Sequence, residues 1–256
     1  MSLNTPIRDW HAKRVWILGA TTGIGAALAE ALAERGAHLA LSARNIDRLE
    51  QATKKLPGSI ALPLDLTQPN ALLPSVFQLL DLWGGLDMVV LCVGAYVPLR
   101  AADLTIEGAR QTIETHLIGV INGTAAVLPQ LLHQREGAVV IVGGAAGYRG
   151  LPKALVYGAV KAAVINFAEG LYLDLKSHGV SVFLVNPAWI EVPGWIGRNA
   201  SVPASFSASE AAECILSGIG HGRFEIHFPK RLTYFLRLLQ MLPGQLYVRM
   251  MRRTAN

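Results

Sequence analysis

The sequence has 256 residues, of which 52% are hydrophobic and 16% charged, a composition that excludes a disordered chain and predicts a large core. Two cysteines exclude a disulfide framework. Because there is no signal peptide and no apolar run of about 20 residues, we expect a cytoplasmic protein without a membrane span. The net charge of +5 arises in the segment 226–256, which has six Lys or Arg and no acid, so it does not indicate a nucleic-acid-binding domain.

Short apolar segments alternate with helical segments along most of the chain. The strand candidates are 14–20, 37–43, 60–65, 88–94, 137–143, 180–186 and 223–228, and 26–34 and 208–218 are predicted helices. Strands this apolar are typical of a parallel sheet that helices cover on both faces. The pattern therefore predicts an α/β fold, a Rossmann-type doubly wound parallel sheet in three layers, formed by a single domain.

A glycine-rich turn follows the first predicted strand. Residues without a Cβ let the backbone approach a pyrophosphate, and the amino terminus of the next helix presents N–H groups to it. The alternative is an ordinary tight turn between a strand and a helix. The residues assigned to this turn are Gly19, Thr21, Thr22, Gly23, Ile24 and Gly25. With its GxxxGxG spacing, the turn resembles that of the short-chain dehydrogenase/reductase family, which implies a nicotinamide dinucleotide as cofactor.

Nucleotide preference depends on the residues after the second strand. Ala43 stands where, by resemblance, NAD-preferring members carry Asp, and Arg44 stands where NADP-preferring members carry a base. A guanidinium suits a phosphate by its charge and by its forked donors. We therefore predict that NADP(H) is preferred over NAD(H), with a solvated surface arginine as the alternative.

Three further positions are assigned to the cofactor by the same resemblance. It places Asp65 near the adenine amino group, although an Asp at a strand end is also a common helix cap. It aligns Gly94 with the last glycine of a family motif that lines the cleft, whose two asparagines are missing here. Pro187 matches the proline of a later motif, in which Val192 replaces a Thr that binds the nicotinamide amide.

Tyr157 and Lys161 form the YxxxK pattern of the family. Residues four apart share one face of a helix, and a nearby ammonium favours a phenolate. The resemblance implies that Tyr157 is the acid/base and that Lys161 lowers its pKa and holds the nicotinamide ribose. A Tyr and a Lys at this spacing on an ordinary helix surface is the alternative.

Two catalytic positions depart from the family pattern. Gly144 stands where the family carries a Ser that polarises the substrate oxygen, and losing such a donor costs about 10²- to 10³-fold in rate. His116 stands where the family has an Asn that anchors a proton-relay water. Imidazole titrates near neutrality, so His116 is assigned either to this relay or to a structural role.

The substrate pocket is assigned to the region around Gly144, with aromatic residues from two other segments. Tyr96 lies beyond the fourth strand, and Trp189 and Trp195 lie in a predicted long loop, 188–207. Because apolar and aromatic side chains line most ligand pockets, we predict a hydrophobic alcohol or carbonyl substrate. No metal is predicted.

The carboxyl-terminal segment is predicted to be basic and amphipathic. We assign 1–229 to the nucleotide-binding domain and 230–256 to a tail. In the tail Lys230, Thr233, Arg237 and Gln240 form a polar side, and an apolar face consists of Leu232, Phe235, Leu236, Leu239 and Leu242. We expect this face to pack on the domain or on a sister subunit, and contact with an anionic membrane surface is the alternative.

These features predict an NADP(H)-dependent oxidoreductase that transfers hydride between the nicotinamide and its substrate. The alternative is a nucleotide-binding protein with little or no turnover, a sensor or a scaffold, because Gly144 and Val192 lack the expected side chains. The resemblance implies a homodimer or homotetramer, and we predict no nucleic-acid partner.

Overall fold

A computed structural model describes residues 2–94, 96–188 and 206–252 of the protein. Within them, seven parallel strands form one sheet in the order β3-β2-β1-β4-β5-β6-β7. The strands are β1 (Arg14–Leu18), β2 (His38–Ser42), β3 (Ile60–Ala61), β4 (Met88–Leu91), β5 (Ala138–Val142), β6 (Ser181–Pro187) and β7 (Glu225–Phe228). The predicted doubly wound parallel sheet of a single domain is confirmed.

Helices cover both faces of the sheet. They are α1 (Gly23–Glu34), α2 (Ile46–Lys55), α3 (Pro69–Trp83), α4 (Ile106–Ile113), α5 (Gly119–Gln134), α6 (Leu155–Leu175), α7 (Ala208–Gly220), α8 (Lys230–Met241) and α9 (Gly244–Arg252). Successive side chains of a strand point to opposite faces. Val15 of β1 accordingly belongs to the same core cluster as Leu28 of α1 and Ile215 of α7, whereas Trp16 belongs to the cluster that contains Val127 of α5 and Val164 of α6. The sheet thus separates two cores, as three layers require.

The strand order reverses between β1 and β4, since β1 lies between β2 and β4. In open α/β sheets, ligands bind outside the carboxyl ends of the strands at such a switch point. The glycine-rich turn follows β1 there, and 92–94 follow β4. The fold therefore predicts a ligand-binding site at this edge of the sheet.

One continuous helical stretch, 106–134, contains a π turn at Glu114–Ile118 between α4 and α5. Of the described residues, this stretch alone is long and apolar enough to cross a membrane, and 44% of its most apolar window is buried inside the protein. Val120, Val127 and Leu131 of α5 lie in the core against the sheet. The apolar composition is thus accounted for by sheet packing.

The tail forms two helices, of which α8 packs against β7, and α9 contacts Arg149 and Gly150 through Tyr247. The expected polar side of α8 is partly wrong. Thr233 is fully buried, with its hydroxyl donating to the Pro229 carbonyl, and Arg237 pairs with Glu225 of β7. Leu239 is buried as expected, whereas Phe235 is exposed. Polar groups face the domain because β7 offers them partners, so apolar side chains remain on the outside.

Candidate active site

The glycine-rich turn between β1 and α1 has the geometry of a phosphate site. A Cβ at Gly19 would overlap the Cys92 carbonyl oxygen, and a Cβ at Gly25 would overlap the Gly19 carbonyl. Gly23 has a φ of +55° and faces open space. Thr22, the N-cap of α1, makes no side-chain cap hydrogen bond, and no acid lies in the first turn. The Gly25 amide hydrogen-bonds Cys92, and the N–H groups before it at the start of α1 lie at a site that suits an anion.

Two polar side chains lie farther along the same edge of the sheet. Arg44, two residues after β2, is exposed and makes no ion pair with any described residue. Asp65 follows β3 and accepts hydrogen bonds through Oδ1 from the Thr67 amide and hydroxyl, both at 2.9 Å. Asp65 thus orders its own turn and keeps Oδ2 for other contacts.

Tyr157 is at the centre of a cluster formed by α6, the π turn and the ends of β4 and β5. The His116 ring packs edge-on against Tyr157 with centroids 5.2 Å apart, and the Tyr96 ring lies 5.0 Å away at 59°. Lys161 Nζ is 5.6 Å from the Tyr157 ring centroid and donates to the Val142 carbonyl at 3.0 Å. The structure therefore brings together three side chains predicted to be catalytic and one predicted pocket residue.

Gly144 lies next to this cluster and is buried. Its backbone is extended, with a φ of 163°, so other residues can adopt this conformation. A Cβ built here would lie 3.6 Å from Tyr157 Oη and 3.7 Å from Lys161 Cγ, which are ordinary contact distances. The cluster thus has room for a side chain at Gly144 beside the phenol.

The His116 ring packs directly against Gly94. It is buried, in the π turn, and its ring occupies the space that a Cβ at Gly94 would need. Gly94 has a φ of +88°, which favours glycine for conformational reasons as well. Because π turns inside helices often occur at functional sites, the local geometry agrees with a role for His116 in the cleft.

Desolvation shifts the pKa of three groups in the cleft, of which Lys161 is buried and Tyr157 and Cys92 are partly buried. It raises the pKa of Tyr157, with Cys92 and Tyr96 acting in the same direction. It lowers the pKa of Lys161 to about 8, and it raises the pKa of Cys92 to about 11 although the charge of Lys161 opposes this. The predicted lowering of the Tyr157 pKa by Lys161 is therefore wrong for this structure. The ammonium binds a backbone carbonyl, and desolvation of the phenolate dominates.

The remaining predicted residues are only partly described. Pro187 ends β6 at the same edge of the sheet, and the Ala188 amide donates to the Phe228 carbonyl at 2.8 Å. Trp189, Val192 and Trp195 lie outside the described residues. The substrate side of the cleft is thus defined here by Tyr96, Gly144 and their neighbours.

The sequence model of the short chain dehydrogenase family matches residues 13–201, about three quarters of the chain. The chain belongs to the short chain dehydrogenase family. It is 32% identical over 235 residues to an uncharacterized oxidoreductase of Myxococcus xanthus, covering 90% of this chain and 93% of that protein. It is 26% identical over 202 residues to an uncharacterized oxidoreductase of Staphylococcus aureus, covering 78% and 87% of the two chains.

Solved structures of short chain dehydrogenases share this fold. One from Burkholderia cenocepacia, in complex with NADP, superposes with a TM-score of 0.82 at 24% identity and covers 94% of this chain and 98% of its own. One from Streptomyces avermitilis gives a TM-score of 0.79 at 22% identity, with 89% and 92% covered. At these identities the structural likeness shows the fold alone.

Sequence reasoning missed a polar network behind Gly144 in this short chain dehydrogenase. The fully buried Asn186 accepts a hydrogen bond from the Gly144 amide at 2.9 Å through Oδ1 and donates to Glu225 at 2.9 Å through Nδ2. Tyr148 donates to the same Glu225 oxygen at 2.6 Å, and Arg237 pairs with the other. The signal in the sequence was a lone Asn at the carboxyl end of an apolar strand.

The carboxylate in this network stays ionised. Burial by itself raises the pKa of Glu225, but hydrogen bonds from Tyr148 and Asn186 and the charge of Arg237 outweigh it and hold the pKa below its ordinary value. The network joins the tail helix α8, through β7 and β6, to the segment that carries Gly144. In this short chain dehydrogenase the tail and the cleft are therefore connected by hydrogen bonds.

Proposed function

We propose that this protein is an NADP(H)-dependent oxidoreductase that transfers hydride between the nicotinamide and a hydrophobic alcohol or carbonyl compound. The observation that carries the proposal is the convergence of Tyr157, Lys161 and His116 at the edge of the sheet where the open amino terminus of α1 also lies. Membership of the short chain dehydrogenase family supports the same reaction class.

The residues at the edge fit a dinucleotide. The turn from Gly19 to Gly25 would hold the pyrophosphate on backbone N–H groups, because side chains at these glycines would block the approach. Arg44 would bind a 2′-phosphate, since its guanidinium is exposed and has no acid partner among the described residues, and Asp65 would bind the adenine side. When bound, the nicotinamide supplies or accepts the hydride.

Tyr157 would move the proton at the substrate oxygen. Its raised pKa keeps the phenol protonated at neutral pH, so Tyr157 would donate its proton to a carbonyl oxygen as the carbon receives hydride. Lys161 would hold the nicotinamide ribose, and His116 would return a proton to the phenol through its ring or hold a relay water.

The hydrophobic character of the substrate rests on the aromatic wall of the cleft. Tyr96 packs against Tyr157 with ring centroids 5.0 Å apart, and its hydroxyl donates to the Lys153 carbonyl at 3.1 Å, which restrains the ring beside Tyr157. An apolar or aromatic compound would contact this wall. We further propose a cytoplasmic homodimer or homotetramer that binds no nucleic acid, with a tail that begins at residue 230.

A second candidate function is nucleotide binding with little or no turnover. The specific observation in its favour is Gly144, which places no hydroxyl beside Tyr157 Oη, where a donor would polarise the substrate oxygen. Such a protein would act as a sensor or scaffold that reads nucleotide levels.

The test combines nucleotide binding with turnover. Fluorescence titration should detect binding of NADPH in preference to NADH, and NADPH oxidation should be followed over a panel of hydrophobic aldehydes and ketones. Tyr157→Phe should keep NADPH affinity and lose at least about 10²-fold in kcat. Tyr172→Phe is the matched control on the same helix, because its hydroxyl donates to the Leu3 carbonyl away from the cleft.

Three outcomes separate the candidates. Loss of turnover in Tyr157→Phe alone supports the reductase. NADPH binding without turnover on any member of the panel selects the second candidate. Folded protein that takes up neither nucleotide contradicts both functions.

A further inference from the structure

The outer face of α8 combines apolar side chains with cations. Tyr234, Leu238 and Met241 are 54%, 61% and 82% exposed, and Phe235 lies beside them at 52%. At 100° per residue these four side chains occupy one arc of the helix, together with the exposed Lys230 and Arg231. We call this arc the outer face of α8. A contiguous apolar patch of this kind marks an interaction surface.

The outer face exists because the inner face of α8 is already occupied. Leu239 is buried, and Leu236 and Leu239 line a cleft with Tyr148 and Leu151. Arg237 on the inner side pairs with Glu225. The helix therefore cannot rotate to hide its outer apolar side chains without breaking these contacts.

Helix α9, which follows the turn after α8, also carries exposed apolar and cationic side chains. Leu246 and Val248 are exposed, as are Arg249 and Arg252. Arg149 fixes the turn, because its guanidinium donates to the Leu239, Gln240 and Leu242 carbonyls and lies 4.0 Å from the Tyr247 ring centroid. Both helices thus present apolar side chains among cations on a rigid support.

Charge decides what can cover this surface. From 226 to 252 the chain has five Lys or Arg and no acid, and the one acid that contacts α8 from β7, Glu225, is taken by Arg237. A second copy in a two-fold arrangement would set cations against cations with no acid of these helices between them. A suitable partner must bring negative charge and an apolar phase together. An anionic lipid surface does both.

We propose that α8 and α9 form a docking surface for anionic lipid membranes. The helices lie in the interface, with Phe235, Leu238 and Met241 entering the headgroup–acyl boundary and with Arg231, Arg249 and Arg252 meeting lipid phosphates. Tyr234 adds an aromatic side chain of the kind enriched at this depth. The proposal does not depend on whether the cleft turns over a substrate.

The test is cosedimentation of the full chain with vesicles of phosphatidylcholine alone and with vesicles of phosphatidylcholine and phosphatidylglycerol, whose headgroups carry the negative charge that attracts Lys and Arg. The protein should pellet with the anionic vesicles at low salt and stay in solution with neutral vesicles. Binding should weaken as salt screens the cations. The full chain is required because α8 supplies the partner of Glu225.

Substitutions on α8 and α9 separate the contribution of the cations from that of the apolar side chains. Each of Arg231→Gln, Arg249→Gln and Arg252→Gln should lower the partition coefficient about fivefold. Leu238→Ser should lower it about tenfold through lost apolar contact. Phe77→Ser is the matched control, since Phe77 is 63% exposed on α3, and it should leave partitioning unchanged.

Far-UV circular dichroism and urea unfolding of the same variants show whether they are folded, so this test does not depend on nucleotide binding in the cleft. Protein that stays in solution with anionic vesicles at low salt overturns the proposal, as does equal loss of binding in Phe77→Ser. A vesicle-free dimer that Leu238→Ser dissociates assigns the surface to a second copy instead. Retention by polyglutamate but not by anionic vesicles assigns it to an acidic protein.

Discussion

Restoring a hydroxyl at Gly144 is the sharpest perturbation that the structure offers. A Cβ at this position lies 3.6 Å from Tyr157 Oη, and the extended backbone accepts any residue. The Oγ of Gly144→Ser, one bond farther out, can therefore reach hydrogen-bonding distance of the phenol and of a substrate oxygen beside it. One well-placed oxyanion donor contributes about 10²- to 10³-fold in rate, or about 2.7 to 4 kcal/mol. We expect kcat for carbonyl reduction to rise by about this factor.

Two control variants isolate the hydroxyl. Gly144→Ala adds the Cβ without the oxygen and should leave kcat unchanged. It should also stabilise the fold by about 0.4 to 1 kcal/mol, because alanine restricts the unfolded chain. Gly143→Ser puts the same hydroxyl one residue earlier, where a Cβ would meet Asn186 Oδ1, so it should destabilise the protein without a gain in rate.

The assay is NADPH oxidation at saturating nucleotide with one hydrophobic aldehyde, reported as kcat and KM for each variant. NADPH affinity, measured separately, should be equal in Gly144→Ser and Gly144→Ala. The reasoning is refuted if Gly144→Ser, folded and nucleotide-bound, is no faster than Gly144→Ala.

Three other predictions follow from the same geometry. Arg44→Gln should weaken NADPH binding about tenfold and leave NADH binding unchanged, because one charge-assisted contact is lost. Arg48→Gln, on the exposed side of α2, should change the affinity for neither nucleotide. Fluorescence titration measures both affinities. His116→Leu should lower kcat about 10²-fold at unchanged NADPH affinity while His116→Asn retains turnover; an equal loss in both would give the ring a packing role only. Glu225→Gln should cost about 1.5 to 3 kcal/mol of unfolding free energy at pH 7, against less than about 1 kcal/mol for Glu213→Gln in an exposed ion pair, as measured by urea unfolding. Because folding lowers the pKa of Glu225, its contribution to stability is present above the ordinary value of 4.5 and is lost as the pH falls through the folded value. The unfolding free energies of wild type and Glu225→Gln should therefore converge in acid. A difference that stays constant with pH would contradict the assignment.

The strands could be predicted because each is a short run of apolar residues, but their ends could not. The predicted third strand, 60–65, is reduced to Ile60–Ala61. Beyond Ala61 the chain still runs beside β2, because the Leu62 and Leu64 amides donate to the Leu41 and Ala43 carbonyls, but it does not form a regular ladder there. The first helix begins at Gly23 instead of 26. The glycines of the turn conceal its start in the sequence, because glycine disfavours a helix interior and is common in turns.

The parts of the site that lie within one short motif could be predicted. The properties that depend on contacts between distant segments could not. The Tyr157–Lys161 pair and the glycine turn each lie within a few residues of sequence. The sign of the Tyr157 pKa shift depends on burial by the surrounding segments, and a motif does not contain that information. Likewise, the polar positions of α8 were assigned to solvent, since nothing in the local pattern shows that β7 offers Glu225 to Arg237.

The guanidinium of Arg149 ties the end of α8 to the segment after Gly144 through three carbonyl contacts. Opening the end of the helix breaks all three together, so the last two helices should separate from the sheet in one cooperative event and not fray residue by residue. In amide hydrogen exchange, the protected groups at the end of α8 and in 145–151 would then share one opening free energy.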